Sequence, residues 1–441
     1  MTRYKDFSTI LMKLKYIPLN FSLPISFLIT AIIAFFILSE YSYFLKFLII
    51  SAVSAVFFLI RYPEITLAIF VSIGNIKGDP RLSFLQPVDL TVLLAILILF
   101  TILIKLIFKR IKPKFPKEFL LYIPFILMMI VSLSYTPDFH AGFDKASRFI
   151  ALTGIAIISP FFLMESSHKM KRFLITFVFV GILSSLNAFT MLGGSERLVA
   201  PGGLTIQLGY MAAVAIAVIL YLILPSLSFL KKIIFYIIIA ILSVGLMGSG
   251  ARSATIAVFI CMLISFLFYR KLVIDFFILM LFVFLALSIV SIPDASYEYL
   301  GTIINPHYDL LSSRSDSMKL GFDLTFEHPL SGVGIGGYPF YSSDPNYYKW
   351  AHNVILEISS EMGILSALTV CGIIISSFRE TIKQALDRDF KYKKLSCTVL
   401  ALLIIGFITM MNTGDINCVR PMWLYMSLPF VLKGMGEIRK N

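Results

Sequence analysis

Residues 327–365, EHPLSGVGIGGYPFYSSDPNYYKWAHNVILEISSEMGIL, join a long polar, turn-rich run to an apolar helical pattern, and the rest of the chain is arranged around that junction. Pro329, Gly332, Gly334, Gly336, Gly337 and Pro339 break any regular element in the first part. From His352 and Asn353 onward the pattern changes. Ile355, Ile358, Met362 and Leu365 recur at spacings of three and four, which is one face of a helix. This places His352 at a helix entrance, where a folded loop meets a span long and apolar enough to enter a bilayer.

On both sides of this stretch the chain is mostly apolar. Of its 441 residues 58% are hydrophobic, and the mean hydropathy is +0.90. A soluble domain holds about 45–50% apolar residues even with glycine counted. Most of the sequence divides into runs of the roughly 17–25 residues a helix needs to cross a membrane. The ten-residue alternation of a membrane β-barrel is absent from the pattern. The expected fold is an all-α polytopic membrane protein of about 12–14 transmembrane helices, read as a single integral membrane domain over residues 1–441. Spans are predicted at 20–38, 43–60, 63–74, 88–104, 118–135, 145–164, 172–192, 203–224, 232–247, 252–269, 272–292, 352–378, 395–411 and 420–433, with 63–74 and 420–433 short for a full crossing. The basic N-terminus ahead of the first span, with no small-residue cleavage site, is read as an uncleaved signal anchor.

A formal charge of +13 raises the question of nucleic acid, and the distribution of Lys and Arg answers it. Most of the 38 lie in alternate connections: residues 1–19, Arg61, 105–117, 165–172, 231–232, 270–271, 378–394 and 433–441. That is the positive-inside pattern, which makes those connections cytoplasmic and needs no nucleic-acid partner. Both termini are then cytoplasmic, and residues 293–351 form one large extracytoplasmic loop. Within it, Ser313 and Asp316 suggest a helix cap over 312–326. Met318, Leu320, Phe322 and Leu324 would lay that helix either on the membrane surface or over the protein's own outer face.

Chemistry-bearing residues are few. Cys261, Cys371, Cys397 and Cys418 show no spacing that suggests a disulfide framework or a zinc site, and no metal is expected. Four arginines on the outer side, Arg197, Arg252, Arg314 and Arg420, run against the charge rule and need a reason to be there. Arg197 lies in the glycine-rich GGSERLVAPGG, and Arg252 follows GSG at a helix start. A guanidinium matches a phosphate with two parallel hydrogen bonds, although any single one of these could instead be a snorkelling interfacial residue. Three of the five histidines, His307, His328 and His352, fall in or at the end of the large loop, with none at zinc-motif spacing. His352 could act as a general base or simply cap its helix. Gly332, Gly334 and Gly337 match G-x-G-x-x-G, but without a βαβ unit around them the dinucleotide reading fails and a turn-forming or substrate-approaching loop is expected.

Taken together, Arg197 in its external turn, GSGARSA with Arg252, Arg314 followed by EHPLSGVGIGGY, and AHNVILEISSEMGIL with His352, Asn353, Glu357 and Gly363 resemble the bacterial O-antigen ligase and O-antigen polymerase superfamily of membrane glycosyltransferases. The resemblance covers about 193–365. It departs from the pattern at Trp350, where many members carry a second histidine, and at Ser366, where a glycine is usual. The resemblance implies a GT-C-like, metal-independent enzyme without cofactor. Such an enzyme takes a glycan from a polyprenyl diphosphate such as undecaprenyl diphosphate, on the outer face of the cytoplasmic (inner) membrane, and joins it to an acceptor saccharide or lipid core. The setting is surface polysaccharide or lipopolysaccharide biosynthesis. It also implies that His352 activates the acceptor, that Arg197 and Arg252 hold the diphosphate, and that Arg314 assists. A lipid-linked glycan flippase or other polysaccharide transporter is the alternative, and it predicts ionisable residues near mid-membrane. Lys46 and Arg148 are the nearest to that depth. Polymerase and ligase differ only in acceptor, which no motif here reads.

Overall fold

A computed structural model describes residues 43–81, 89–108, 113–268, 272–301, 308–342, 350–412 and 415–437. The expected anchor and first span (1–38), His307 and the middle of the stretch at 343–349 lie outside the described residues. Within them the chain is helical and contains no strand. The helices are α1 (Tyr43–Arg61), α2 (Pro63–Ser72), α3 (Leu90–Ile107), α4 (Tyr122–Ser132), α5 (Phe139–Arg148), α6 (Gly154–Leu163), α7 (Ser167–Ala188) and α8 (Thr205–Val218). They continue with α9 (Phe229–Gly248), α10 (Arg252–Phe268), α11 (Leu272–Ile289), α12 (Asp294–Gly301), α13 (Tyr308–Glu327), α14 (Val354–Leu386), α15 (Lys393–Met410) and α16 (Arg420–Glu437).

Every predicted span among the described residues coincides with a helix, and the exposed faces explain why. Ile96, Leu99, Phe100 and Leu103 of α3 and Phe179 and Leu183 of α7 point outward as large apolar side chains, a surface suited to lipid. By length and composition seven of the described helical segments can cross a membrane, and an eighth can if α1 and α2 form one broken span. Those two meet at 106° where Tyr62 leaves the helix and Pro63 starts the next, so 63–74 is half of a bent pair rather than a crossing of its own. A π-helical turn at Phe149–Thr153 joins α5 to α6, and the combined segment starts at Phe139, six residues before the predicted boundary.

The centre is the segment Thr205–Ser226 that α8 opens, of whose apolar window 83% is buried, against 28% for peripheral α3. Ala212, Ala213, Ala215 and Ala217 keep α8 thin. Gly181 of α7 completes the fit: a Cβ there would lie 2.7 Å from Ala215 Cβ. Small residues of this kind let membrane helices pack backbone to backbone. A second aromatic centre forms round buried Trp423 of α16, with Phe125 stacked on it and Phe149 edge-on, while its indole N–H donates to Ile416 O at 3.0 Å.

Helix α14 is broken. Gly363 has φ +81°, and the stretch quoted at the outset fills the gap it opens. Val333 and Gly334 donate their N–H groups to Ser360 O and Glu361 O, both at 2.9 Å, and Ile364 N–H donates to Pro329 O at 2.8 Å. The backbone groups freed by the break are therefore satisfied by protein. Gly332, Gly334 and Gly336, all at positive φ, let the run pass between α14 and the corner between α4 and α5, where Thr136 Oγ1 donates to Ile335 O at 2.9 Å. The glycine run thus forms turns. A side chain at Gly363 would meet Leu330 O at 2.1 Å, so no other residue fits this crossing.

Helix α13 corrects one local expectation: it begins at Tyr308, which places Ser313 inside the helix rather than at its cap. Its inner face covers the protein. Leu324 is buried with Val333, Tyr338, Ala351 and Leu356, while Phe322 and Phe326 stay exposed.

Candidate functional site

The two arginine motifs are joined to each other by the backbone. Arg197 Nε donates to Ser249 O at 2.8 Å and Leu198 N–H donates to Gly248 O at 2.8 Å, so the glycine-rich turn sits on the GSG turn that launches α10. Gly250 (φ +62°) allows this, since a Cβ there would lie 2.9 Å from Arg197 Nε. The Arg197 guanidinium carbon stands 4.2 Å from the centre of the Tyr299 ring, a cation–π distance. Arg252, the first residue of α10, is close enough to act electrostatically on Arg197, and both act on Arg314 of α13. Burial first, then the charges of Arg252 and Arg197, press the Arg314 guanidinium below its ordinary range, while Tyr299 offsets part of this. Three guanidinium groups from three parts of the chain therefore form one positive cluster.

His352 does not cap α14. Asn353 does, its Oδ1 accepting the Leu356 N–H at 3.1 Å. The bland explanation for the histidine is removed, and its backbone is unusual: φ is +53°, the one positive value at a non-glycine residue among the described residues. Such conformations are uncommon and concentrate at functional positions. The surrounding structure holds it there. Ser317 Oγ of α13 donates to Trp350 O at 2.6 Å, Ala351 is fully buried, and Trp350 stands edge-on to the imidazole at 6.2 Å. Burial, followed by the charge of Arg314, lowers the His352 pKa to about 4. The imidazole is thus neutral, the form able to accept a proton.

His352, Trp350 and Arg314 line one cavity of about 510 Å³, a size usual for small-molecule sites. Arg197 and Arg252 do not line it; they reach it electrostatically, through Arg314. Arg420, which the sequence singled out without assigning it a role, does line it, together with Asn75 and Gln207. The run 329–342 is not among the lining residues; it acts on the site by bracing α14 and through Tyr338, whose hydroxyl donates to Ser317 O of α13 at 2.6 Å.

Sequence reading missed a buried ion cluster beside the cavity. Lys145 of α5 bonds both Glu357 and Glu361 of α14, the latter at 2.7 and 2.8 Å, and each carboxylate is only 1% exposed. The amide of Asn417, a cavity residue, donates to Lys145 O at 3.1 Å. The i, i+4 spacing of Glu357 and Glu361 was the available signal. Their partner lies more than two hundred residues away, where spacing says nothing. Arg148, expected near mid-membrane, is instead exposed and paired with Asp144 at 2.9 Å. None of the four cysteines forms a disulfide among the described residues.

Fold and site define a polytopic α-helical membrane protein with a cationic cavity lined in part by a neutral histidine. Residues 236–371 match the model of the O-antigen ligase family, a segment that holds Arg252, Arg314, His352, Glu357 and Gly363 and leaves out Arg197 and Arg420. The match supports a relation to the O-antigen ligase/polymerase superfamily and an O-antigen-ligase-type function in general. No curated protein matches the chain significantly.

Proposed function

We propose that this chain is a membrane glycosyltransferase of the O-antigen ligase/polymerase type. It moves a glycan from a polyprenyl diphosphate to an acceptor saccharide on the outer face of the cytoplasmic membrane. The observation that carries this reading is that neutral His352 and Arg314 line one cavity, with Arg197 and Arg252 in electrostatic reach of Arg314. The acceptor hydroxyl attacks the anomeric carbon of the donor glycan while the bond from that carbon to the diphosphate oxygen breaks. The hydroxyl proton passes to His352, and the departing diphosphate keeps the electron pair. Arginines placed where that negative charge develops stabilise it more than they stabilise the bound donor. A diphosphate beside Arg314 also cancels part of the charge that depresses His352, moving its pKa toward the neutral range where a general base works best.

Sidedness is part of the proposal. Lys105 with Glu165, Lys169 with Glu165, and Arg172 with Glu64 tie helix ends together at the end of the bundle that carries most of the basic residues, and that end is assigned to the cytoplasm.

The test is the purified protein in lipid with a synthetic polyprenyl-diphosphate-linked oligosaccharide and an acceptor saccharide, with release of free polyprenyl diphosphate measured. Release that requires the acceptor and is lost in Arg252→Gln is expected; no release from a folded, donor-binding protein would overturn the reading. A flippase is favoured by one observation, the ion cluster Lys145, Glu357 and Glu361 buried within spans. In vesicles it would move the donor across the membrane with its glycosidic bond intact.

A further inference from the structure

The cavity contains more unsatisfied polar chemistry than a diphosphate and a base account for. Arg420 Nε is buried with no hydrogen-bond partner among the described residues, and so are Asn75 Oδ1 and Gln207 Oε1. All three residues line the cavity that holds His352 and Trp350. An orphaned buried polar atom costs about 1–3 kcal/mol, and native structures contain few of them. Three such atoms on residues that line one cavity point to a missing ligand with matching groups.

Their chemistry defines what that ligand offers. Arg420 has only donors. It is the first residue of α16, an 18-residue helix, so the positive end of the helix lies beside it. Its guanidinium carbon is 5.1 Å from the centre of the Phe70 ring, which fixes the fork in place without supplying a counter-ion. Asp89 and Asp415 act on it only from a distance, no carboxylate among the described residues forms an ion pair with it, and a half-buried cation of this kind calls for an anion. Asn75 and Gln207 present free carbonyl oxygens, since the Asn75 amide nitrogen is already used on Ser72 O at 3.1 Å. Those oxygens call for hydroxyl donors. Trp350 adds an aromatic surface for an apolar face. An anionic group, several hydroxyls and an apolar face together describe an acidic saccharide.

We propose that the Arg420 side of the cavity is a subsite for an acidic sugar unit of the glycan, its carboxylate or phosphate held by Arg420 and its hydroxyls by Asn75 and Gln207. This rests on the glycosyltransferase reading and adds a substrate class to it. The subsite is distinct from the diphosphate cluster: the charges that act on Arg420 include Asp89, Asp415 and Arg148, whereas those that act on Arg314 are Arg252 and Arg197.

The experiment uses the full-length protein in lipid nanodiscs and measures binding of four probes. These are tetragalacturonate, its neutral methyl ester, a phosphorylated neutral tetrasaccharide, and inorganic phosphate. The acidic oligosaccharide should bind roughly tenfold or more tighter than its ester, the difference expected from one charge-assisted hydrogen-bonded contact. If the phosphorylated probe is preferred over the carboxylate, the anion is a phosphate ester; inorganic phosphate alone should bind weakly, because it lacks the hydroxyls. Arg420→Gln should erase the preference for charge, and Arg420→Lys should keep part of it. Gln207→Leu should weaken acidic and neutral forms alike. Equal binding of acid and ester by the wild type, or an undiminished preference in Arg420→Gln, would overturn the proposal. If Arg420→Gln fails to fold, Gln207→Glu decides: a carboxylate in the cavity should reject the acidic probe and keep the ester, and unchanged acid binding would refute the subsite. Arg252→Gln separates this from the catalytic reading, since it should abolish release of polyprenyl diphosphate and leave the charge preference intact.

Discussion

Arg197 Nε bonds Ser249 O at 2.8 Å, joining two motifs 52 residues apart and setting the direction in which α10 presents Arg252. Arg197 is therefore part scaffold, through this bond and the Tyr299 ring, and part of the cationic cluster. Lysine keeps the charge but loses the planar fork that serves both contacts. Arg197→Lys should lower the melting temperature and the donor affinity together, whereas Arg252→Lys should lower donor affinity with little change in melting. Gly250→Ala should resemble Arg197→Lys, because a left-handed alanine costs about 1–2 kcal/mol and its Cβ would press on Arg197. Calorimetry and donor titration on the three purified variants check this. Wild-type melting for Gly250→Ala would refute the coupling.

His352 and Asn353 are adjacent residues with separable roles. Loss of a general base typically reduces rate by about 10²–10⁴, whereas loss of an N-cap costs on the order of 1 kcal/mol of stability. His352→Ala should abolish most turnover with donor binding and folding retained. Asn353→Ala should melt earlier yet turn over at nearly the wild-type rate per folded molecule. His352→Gly should be inactive but more stable than His352→Ala, since glycine accepts the positive φ without strain. Turnover of His352→Ala within a few-fold of wild type would end its role as base.

The acidic limb of activity follows from the same residue. His352 is held at about 4, below its ordinary 6.5, by burial and then by Arg314. An unfolded chain therefore takes up its proton at higher pH than the folded one. The contribution of neutral His352 to stability is complete above about pH 6.5 and is lost as pH falls from there toward 4. In kcat/KM, which reports the free enzyme, the limb should lie near pH 4 and fit one proton, Trp350 standing where a second histidine could have titrated. In kcat the limb should lie higher, because bound diphosphate offsets Arg314. Arg314→Gln should raise the kcat/KM limb, and an unmoved limb would show that Arg314 does not act on the base.

The spans were legible because a bilayer imposes long apolar runs, and every predicted span among the described residues is a helix. What the sequence hid was polar structure that continues those helices. Asp138 caps α5 through the Ala141 N–H at 3.0 Å, starting the helix before its apolar part begins. The break at Gly363 leaves the spacing of three and four undisturbed, since its cause is the crossing backbone of 329–334. Arg252, Arg314 and His352 were visible as charged or titratable residues in unexpected places. The need Arg420 shares with Asn75 and Gln207 exists only in three dimensions, as buried unpaired atoms on residues that line one cavity.

Lys145 holds two carboxylates, each 1% exposed, on the half of α14 that begins just after His352. Removing one member of a buried ion cluster typically costs about 3–5 kcal/mol, because the remaining charges lose their partner. Lys145→Met should therefore be strongly destabilised. Lys145→Met combined with Glu357→Gln and Glu361→Gln should recover much of that loss, the carboxylates having become neutral. Melting in detergent of the single and triple variants checks this. A single variant as stable as wild type would mean the cluster is solvated in the membrane.

Sidedness is open to direct measurement, and burial decides which positions can report it. Gln384 lies in the basic connection but is only 4% exposed and bonds Pro429 O at 2.8 Å, so a reagent would not reach it. Arg388 in the same connection is exposed, and on the loop-bearing face so is Asp323 of α13. Cys418 is exposed as well and has to be replaced first, with the other three cysteines, to clear the background. In intact cells Asp323→Cys should react with a membrane-impermeant thiol reagent, while Arg388→Cys should react only after the membrane is opened. The charge distribution requires this order, since Lys and Arg gather on the cytoplasmic side. The reverse order would place His352 and the arginine cluster inside the cell and exclude transfer to an acceptor on the outer face.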